Sequence, residues 1–162
     1  MIRCKRVSLV VLLTSLVACG VIVPIPDVGE ATGGAFAGAT DVTFGTIEDN
    51  LFKNSCATTG CHGFNNDAPM SLLKTEAYDN LVCQLSVQAE GYYRVNPGNP
   101  QQSYILYKLR GTASEVGGDP DTQMPKDGDP LEAETISALE AWIAAGAPDD
   151  SGNMPEACPP IN

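Results

Sequence analysis

Residues 55–63 read Ser55-Cys56-Ala57-Thr58-Thr59-Gly60-Cys61-His62-Gly63. This stretch holds two of the chain's six cysteines and its one histidine. Cys61 and His62 are neighbours, and consecutive Cα atoms lie only about 3.8 Å apart, so a thiol and an imidazole are confined to one small region. Cys56 stands a further turn back, with four residues between the two cysteines. Gly60 immediately precedes Cys61 and permits a backbone angle that residues with a Cβ resist. Whatever these three donors hold sets what the rest of the chain packs around.

Three chemistries suit such donors. A Cys pair ending in Cys-His marks covalent haem attachment when two residues separate the thiols. The thiols add to the two vinyl groups of the porphyrin, and the histidine then lies under the iron and supplies a ring nitrogen. The second thiol and the histidine must be adjacent. The first thiol has more freedom, so a longer loop can bulge. Alternatively, Cys56 and Cys61 close a small disulfide loop. In the third case Cys56, Cys61 and His62 are three ligands of a structural zinc, which needs a fourth. Taking Cys83 or Cys158 for that purpose strands the other. The nine residues alone leave all three readings open.

Working outward, the N-terminus is a leader. Arg3, Lys5 and Arg6 form a basic segment, and Val7 to Val17 is apolar apart from Ser8, Thr14 and Ser15. This is a secretory signal layout, too short for a permanent membrane-spanning helix. It ends Leu16-Val17-Ala18-Cys19-Gly20, which resembles the lipobox of bacterial lipoproteins. The resemblance implies cleavage before Cys19, diacylation of its thiol and an extracytoplasmic location where disulfides persist. Gly20, in place of an Asp, implies the outer membrane, with the domain facing the periplasm or the cell surface. The expected division is therefore 1–18 signal peptide and 19–40 lipidated tether. The tether is broken by Pro24, Pro26, Gly29, Gly33, Gly34 and Gly38.

The chain has 162 residues, 20 acidic and 9 basic, with a net charge of −11. Removal of residues 1–18 leaves 162 − 18 = 144 residues and a charge of 6 − 20 = −14. One domain fits that length. The charge argues against nucleic acid, whose phosphates must be met by Lys and Arg, and against an anionic membrane surface; the lipid anchor is the membrane contact. Aromatic residues make up 6%, so the core is thin and a staple or a cofactor helps to fill it. No Ser-His-Asp set, paired carboxylates or phosphate loop is present, and the lone histidine is already committed.

Periodicity places helices at both ends of the domain. Over residues 43–55, Phe44, Ile47, Leu51 and Ser55 share a face with Phe52 beside it, and Glu48 and Asp49 suit its early part. The last helix is capped by Asp129, with Pro130 first and Glu132 and Glu134 in the opening turn. Its stripe is Ile136, Leu139, Trp142 and Ile143, and Gly146 and Pro148 end it. Thr75 to Leu85 and Ser103 to Leu109 are expected as short helices. The fold class is mostly α with long Pro/Gly loops.

In order, FKNSCATTGCHG (52–63), NPGNPQQSYILYKLRG (96–111), QMPK (123–126) and LEAETISALEAWIAAGAP (131–148) resemble the c-type cytochrome domain of the monohaem bacterial envelope class. The resemblance spans residues 41–148. It implies a small helical domain with one covalent haem c, held by Cys56 and Cys61. His62 is the implied proximal ligand and Met124 the distal one, with Met70 and Met154 as chemical alternatives. A thioether favours ferrous iron and raises the potential. Phe52 and Trp142 are implied to pack where the first and last helices cross, and Leu106, Tyr107 and Leu109 to wall the haem pocket.

Cys83 and Cys158 then remain as an even pair in an oxidising compartment. A disulfide between them ties back the tail, residues 149–162. Asp119, Asp121, Asp127 and Asp129 crowd the Met124 loop without calcium-loop spacing; as a solvated acidic surface they suit a redox partner with a basic patch. The expected function is single-electron transfer rather than catalysis, since His/Met ligation leaves no open iron position. The rival is a disulfide-stapled envelope lipoprotein of the same fold with no haem, serving as a binding or structural module.

Overall fold

The computed structural model describes residues 36, 42–65, 68–120 and 122–161. The leader, the lipid site Cys19, the tether apart from Phe36, and Asp121 lie outside the described residues. Among the described residues four α-helices carry the fold: α1 (Phe44–Ile47), α2 (Ala77–Leu81), α3 (Tyr104–Arg110) and α4 (Ala133–Ala144). A π-helical segment, Glu48–Cys56, continues directly from α1. Short 3₁₀ turns cover Pro100–Gln102 and Ala113–Val116. Among the described residues the only β pairing is three isolated bridges, Val82 with Val95, Leu85 with Tyr93 and Tyr93 with Ser103. The chain is mostly α, as its periodicity indicates.

The first helix starts at Thr43, whose hydroxyl accepts from the Thr46 amide at 3.2 Å and satisfies one orphan donor of the first turn. Phe44, Ile47, Leu51 and Phe52 are all buried. Glu48 is buried with them, at 4% exposure. At Glu48 the hydrogen bonding widens, and the segment closes with the Ala57 amide on the Phe52 carbonyl, five residues back, at 2.6 Å. Such wide turns are rare and concentrate at functional sites.

The last helix departs from its expected start. Asp129 and Pro130 precede α4, which begins at Ala133, and its cap position, Glu132, makes no side-chain cap bond. Leu131 packs against the core, and Glu132, at φ −56° and ψ 141°, lies outside the helix. The buried stripe is Thr135, Leu139, Trp142 and Ile143, with Ile136 on its flank. The helix ends before Gly146, whose φ is +99°. The middle helix is also shorter than expected: Val82 leaves α2 in extended conformation, because residues 82–85 pair with 93–95 instead.

The two ends of the domain meet through Phe44. Its ring centroid lies 5.5 Å from Trp142, 6.2 Å from Phe52 and 5.0 Å from Tyr78. Phe44 joins the first helix to Trp142 within the buried cluster that also holds Phe52. Two hydrogen bonds lock the chain after α4 onto this cluster. Trp142 Nε1 donates to the Pro148 carbonyl at 3.0 Å, and the Tyr78 hydroxyl donates to the Ala147 carbonyl at 2.8 Å. Phe36, within the stretch assigned to the tether, is 4% exposed and belongs to the same core, so the packed unit begins before residue 41.

The tail is stapled. Cys83 and Cys158 form a disulfide with Cα atoms 5.0 Å apart and 75 positions between them in sequence. The Tyr93 hydroxyl donates to the Pro159 carbonyl beside it. No helix among the described residues is long and apolar enough to cross a membrane.

Candidate functional site

The Cys-His stretch begins where the π-helix stops. Leu51, Phe52, Ser55 and Cys56 project from it into one cavity. The chain then makes a tight exposed bulge. The Cys61 and Gly63 amides both donate to the Thr58 carbonyl at 3.1 Å, and the His62 amide donates to the Cys56 carbonyl at 3.1 Å. Thr58, Thr59 and Gly60 are exposed, and Gly60 adopts φ +82°. The wide spacing is taken up by this exposed turn, and Cys56, Gly60, Cys61 and His62 all line the cavity. Gly63 is needed for the closure. A Cβ there would strike the Ala57 carbonyl oxygen and lie 2.8 Å from the Thr58 oxygen.

The imidazole is held in one tautomer. His62 Nδ1 is 3.1 Å from the Met70 carbonyl. A carbonyl only accepts, so Nδ1 carries a proton, and in the neutral ring the lone pair then sits on Nε2. A metal-binding histidine needs this arrangement, with the second nitrogen oriented by an outer partner. The Leu72 amide returns to the His62 carbonyl at 2.7 Å and fixes the backbone of the same pair of segments.

The thiols differ. Cys56 is partly buried and Cys61 is exposed, and both are free. Burial, and then the neighbouring Cys61, push the Cys56 thiol up to about 12. Cys83 and Cys158 are joined to each other and supply no fourth zinc ligand. Among the described residues no three His, Cys, Asp or Glu side chains gather as a metal-binding group. That covers both the zinc arrangement and the described aspartates of the Met124 loop.

Met124 lines the same cavity. Its amide donates to the Lys108 carbonyl at 2.9 Å, and the Gln123 side chain donates to the Leu109 carbonyl at 3.0 Å. These bonds clamp the loop to the end of α3. The Met124-Pro125 bond is cis. Met70 is also in the lining, whereas Met154 is 63% exposed and lies in a separate groove along the tail. The cavity therefore brings together Cys56, Cys61, His62 and Met124, from segments up to 68 positions apart (124 − 56), and excludes Met154.

The cavity measures about 440 Å³, within the range of roughly 300–1,000 Å³ for cofactor and ligand sites. Leu51, Phe52, Leu72, Leu81, Ile105 and Leu109 supply its apolar wall. The expected wall is corrected on α3. Leu106 is fully buried in the core. The Tyr107 hydroxyl donates to the Gln101 carbonyl and its ring packs on Tyr92. The face presented is Tyr104, Ile105, Lys108 and Leu109, which a rotation of about 100° per residue separates from 106 and 107. Arg94 and Lys108 in the lining were not legible as site residues. Arg94 sits in an irregular stretch, and a lysine inside an apolar helical pattern is ordinarily a solvated one. Compared with protein-family models, with curated proteins and with solved structures, the chain matches none.

Proposed function

We propose that the chain is an envelope electron carrier: a cytochrome c-like domain with one covalent c-type haem, anchored through a lipidated Cys19 at the outer membrane. The observation that carries this reading is a single apolar cavity lined by Cys56, Cys61, His62 and Met124, with the His62 Nδ1–H already committed to the Met70 carbonyl.

The donor chemistry fits an iron porphyrin. Two unpaired thiols suit two thioether links, an imidazole with a free Nε2 suits a proximal ligand, and a thioether on a clamped loop suits a distal one. When bound, the haem supplies a one-electron iron couple. The protein's part is to hold and insulate it. Cys56 and Cys61 fix the macrocycle. His62 presents Nε2, and the Met70 carbonyl keeps that ring from turning. The Met124 thioether would hold the iron on the side away from His62, which would exclude small molecules and favour electron transfer. The apolar wall excludes water and favours the less charged ferrous state. Asp127 and Asp129 are exposed near the Met124 loop and suit a redox partner with a basic patch, with association that weakens as salt rises.

The rival is a disulfide-stapled envelope lipoprotein that binds or scaffolds without haem. It draws support from the four-residue spacing and from the Cys83–Cys158 bond. The free thiols of Cys56 and Cys61 favour the first reading. Expression of the mature chain with cytochrome c maturation machinery, followed by a denaturing pyridine spectrum, separates the two. One haem per chain that stays with the polypeptide is expected. A haem-free chain with two disulfides by mass, in a host shown to process this spacing, supports the rival. Met124→Ala is expected to remove the weak sulfur-to-iron absorption of the oxidised protein while the covalent haem remains.

A further inference from the structure

Of the nine Lys and Arg residues, Arg3, Lys5 and Arg6 precede Cys19. Three of the remaining six, Arg94, Lys108 and Lys126, line the one cavity that holds the Cys-His motif. In a chain with 20 acidic residues this is a strong local bias. Lys108 is only 7% exposed and Arg94 is partly buried. Lys74 and Arg110 are paired elsewhere, with Asp49 and Glu140. Arg94 spends Nη1 on the Asn80 carbonyl at 2.8 Å. Lys108 Nζ donates to the Thr122 hydroxyl, which in turn donates to Asp119 at 3.1 Å.

Both cations are disfavoured by their own surroundings. Burial holds the Arg94 guanidinium below its ordinary range, with no opposing contribution. Burial lowers Lys108 as well, and Asp119 opposes that shift. A cation kept at an apolar wall costs stability unless it is fully paired; Asp119 meets part of that cost at Lys108, and an anion arriving with a ligand would offset the rest. The other titratable groups at this cavity are Cys56, Cys61, His62, Asp119, Lys126 and Asp127, together with the Tyr104 hydroxyl. Asp119 and Asp127 do not outnumber the three cations.

We infer that Arg94 and Lys108 form an anion-receiving pair inside the cavity and take up the carboxylate groups of its bound ligand. The inference rests on the haem reading, in which those groups are the porphyrin's two propionates. Arg94 offers its remaining guanidinium N–H groups for a forked contact, and Lys108 offers a point charge from α3. The two residues are binding and positioning groups. They fix which edge of the macrocycle faces inward, and the thioethers of Cys56 and Cys61 hold another edge.

The test uses the mature chain with Cys56→Ser and Cys61→Ser, so that binding is reversible, titrated with ferric protoporphyrin IX and with its dimethyl ester. The diacid is expected to bind at least about tenfold more tightly, and Arg94→Gln or Lys108→Gln should each shrink that preference by about tenfold, the scale of one lost charge-assisted hydrogen bond. Arg94→Lys should restore much of it. Equal affinity for diacid and ester, or an unchanged preference in both Gln variants, overturns the inference and leaves the haem reading standing. A second measurement uses the haem-loaded chain with its cysteines intact. There Arg94→Gln should retain one haem per chain and lower the reduction potential, because an unneutralised carboxylate favours ferric iron, whereas Arg94→Lys should not. A potential unmoved by Arg94→Gln also overturns the inference. If the intact chain carries no haem after maturation, the functional reading fails and takes the inference with it.

Discussion

Cys56 and Cys61 carry the same thiol in opposite surroundings. Cys61 is exposed, whereas burial raises Cys56 to about 12. The thiolate is the reactive form, so iodoacetamide at pH 8 should label Cys61 of the haem-free chain at least about tenfold faster than Cys56. Equal rates by peptide mass mapping would mean that the Cys56 thiol is open to solvent. Glu48 is the second residue with a readable charge state. It is 4% exposed and its Oε1 has no hydrogen-bond partner. Burial raises its pKa above the ordinary 4.5; Asp150 adds to this and Lys74 opposes it. A raised folded-state pKa means that the contribution to stability is fully present below about 4.5 and is lost as pH rises through the folded value. Glu48→Gln is therefore expected to stabilise the domain at pH 7 by about 1 kcal/mol. Thermal melts at pH 7 and pH 4 check this. The gain should vanish at the lower pH, and an equal gain at both would rule out ionisation as its source.

At the scale of elements, the junction of the π-helix with the Cys-His bulge carries the site. Two glycines there have different jobs. Gly60 needs only its backbone angle, since nothing lies within 4 Å of a Cβ placed on it. Gly63 has no room at all beside the Ala57 and Thr58 carbonyls. Gly60→Ala should cost about 1–2 kcal/mol, the strain of a left-handed residue. Gly63→Ala should cost about 1–3 kcal/mol from overpacking, and it should also displace the His62 imidazole from the Met70 carbonyl. Thermal melts measure the first effect, and the imidazole proton resonances of the haem-free chain measure the second. A Gly63→Ala protein whose His62 resonances match the parent would show that the loop closes without that contact. α3 contributes by register: a shift of one residue would replace Lys108 and Leu109 in the cavity with their neighbours.

For the whole molecule, the Cys83–Cys158 bond ties the tail back to the segment that follows α2. Val87 and Gln88 in that segment also reach the cavity. The bond spans 75 positions, and a loop of that length constrains the unfolded chain by about 4 kcal/mol in the chain-entropy description. Cys83→Ser with Cys158→Ser should lower the urea-unfolding free energy by about 2–4 kcal/mol. An unchanged midpoint would mean that the tail is held by its other contacts, such as Tyr93 on Pro159. The staple and the cavity answer the same deficit. Four phenylalanines and one tryptophan make a small aromatic core, and the apolar cavity of about 440 Å³ opens beside it.

Local chemistry made much of this protein readable in advance. The Cys-His adjacency, the apolar stripe of α4 and the even cysteine remainder depend on near neighbours or on counting, and the structure has the stripe and the disulfide nearly as expected. The start of α4 was misread because Asp129 and Pro130 form a good cap in isolation, while the helix begins only at Ala133, after Leu131 has packed against the core. The α3 face was misread because Leu106 and Leu109 are equally apolar, and only packing decides which one meets the core and which the cavity. Phe44 as the residue joining the chain ends, the Met70 carbonyl on His62, and the two cations in the wall are contacts between distant segments. They depend on where the backbone travels, and no local pattern of residues encodes that. The sequence by itself determined which donors the site has; only the tertiary structure decided that one cavity gathers them and that Arg94 and Lys108 stand among them.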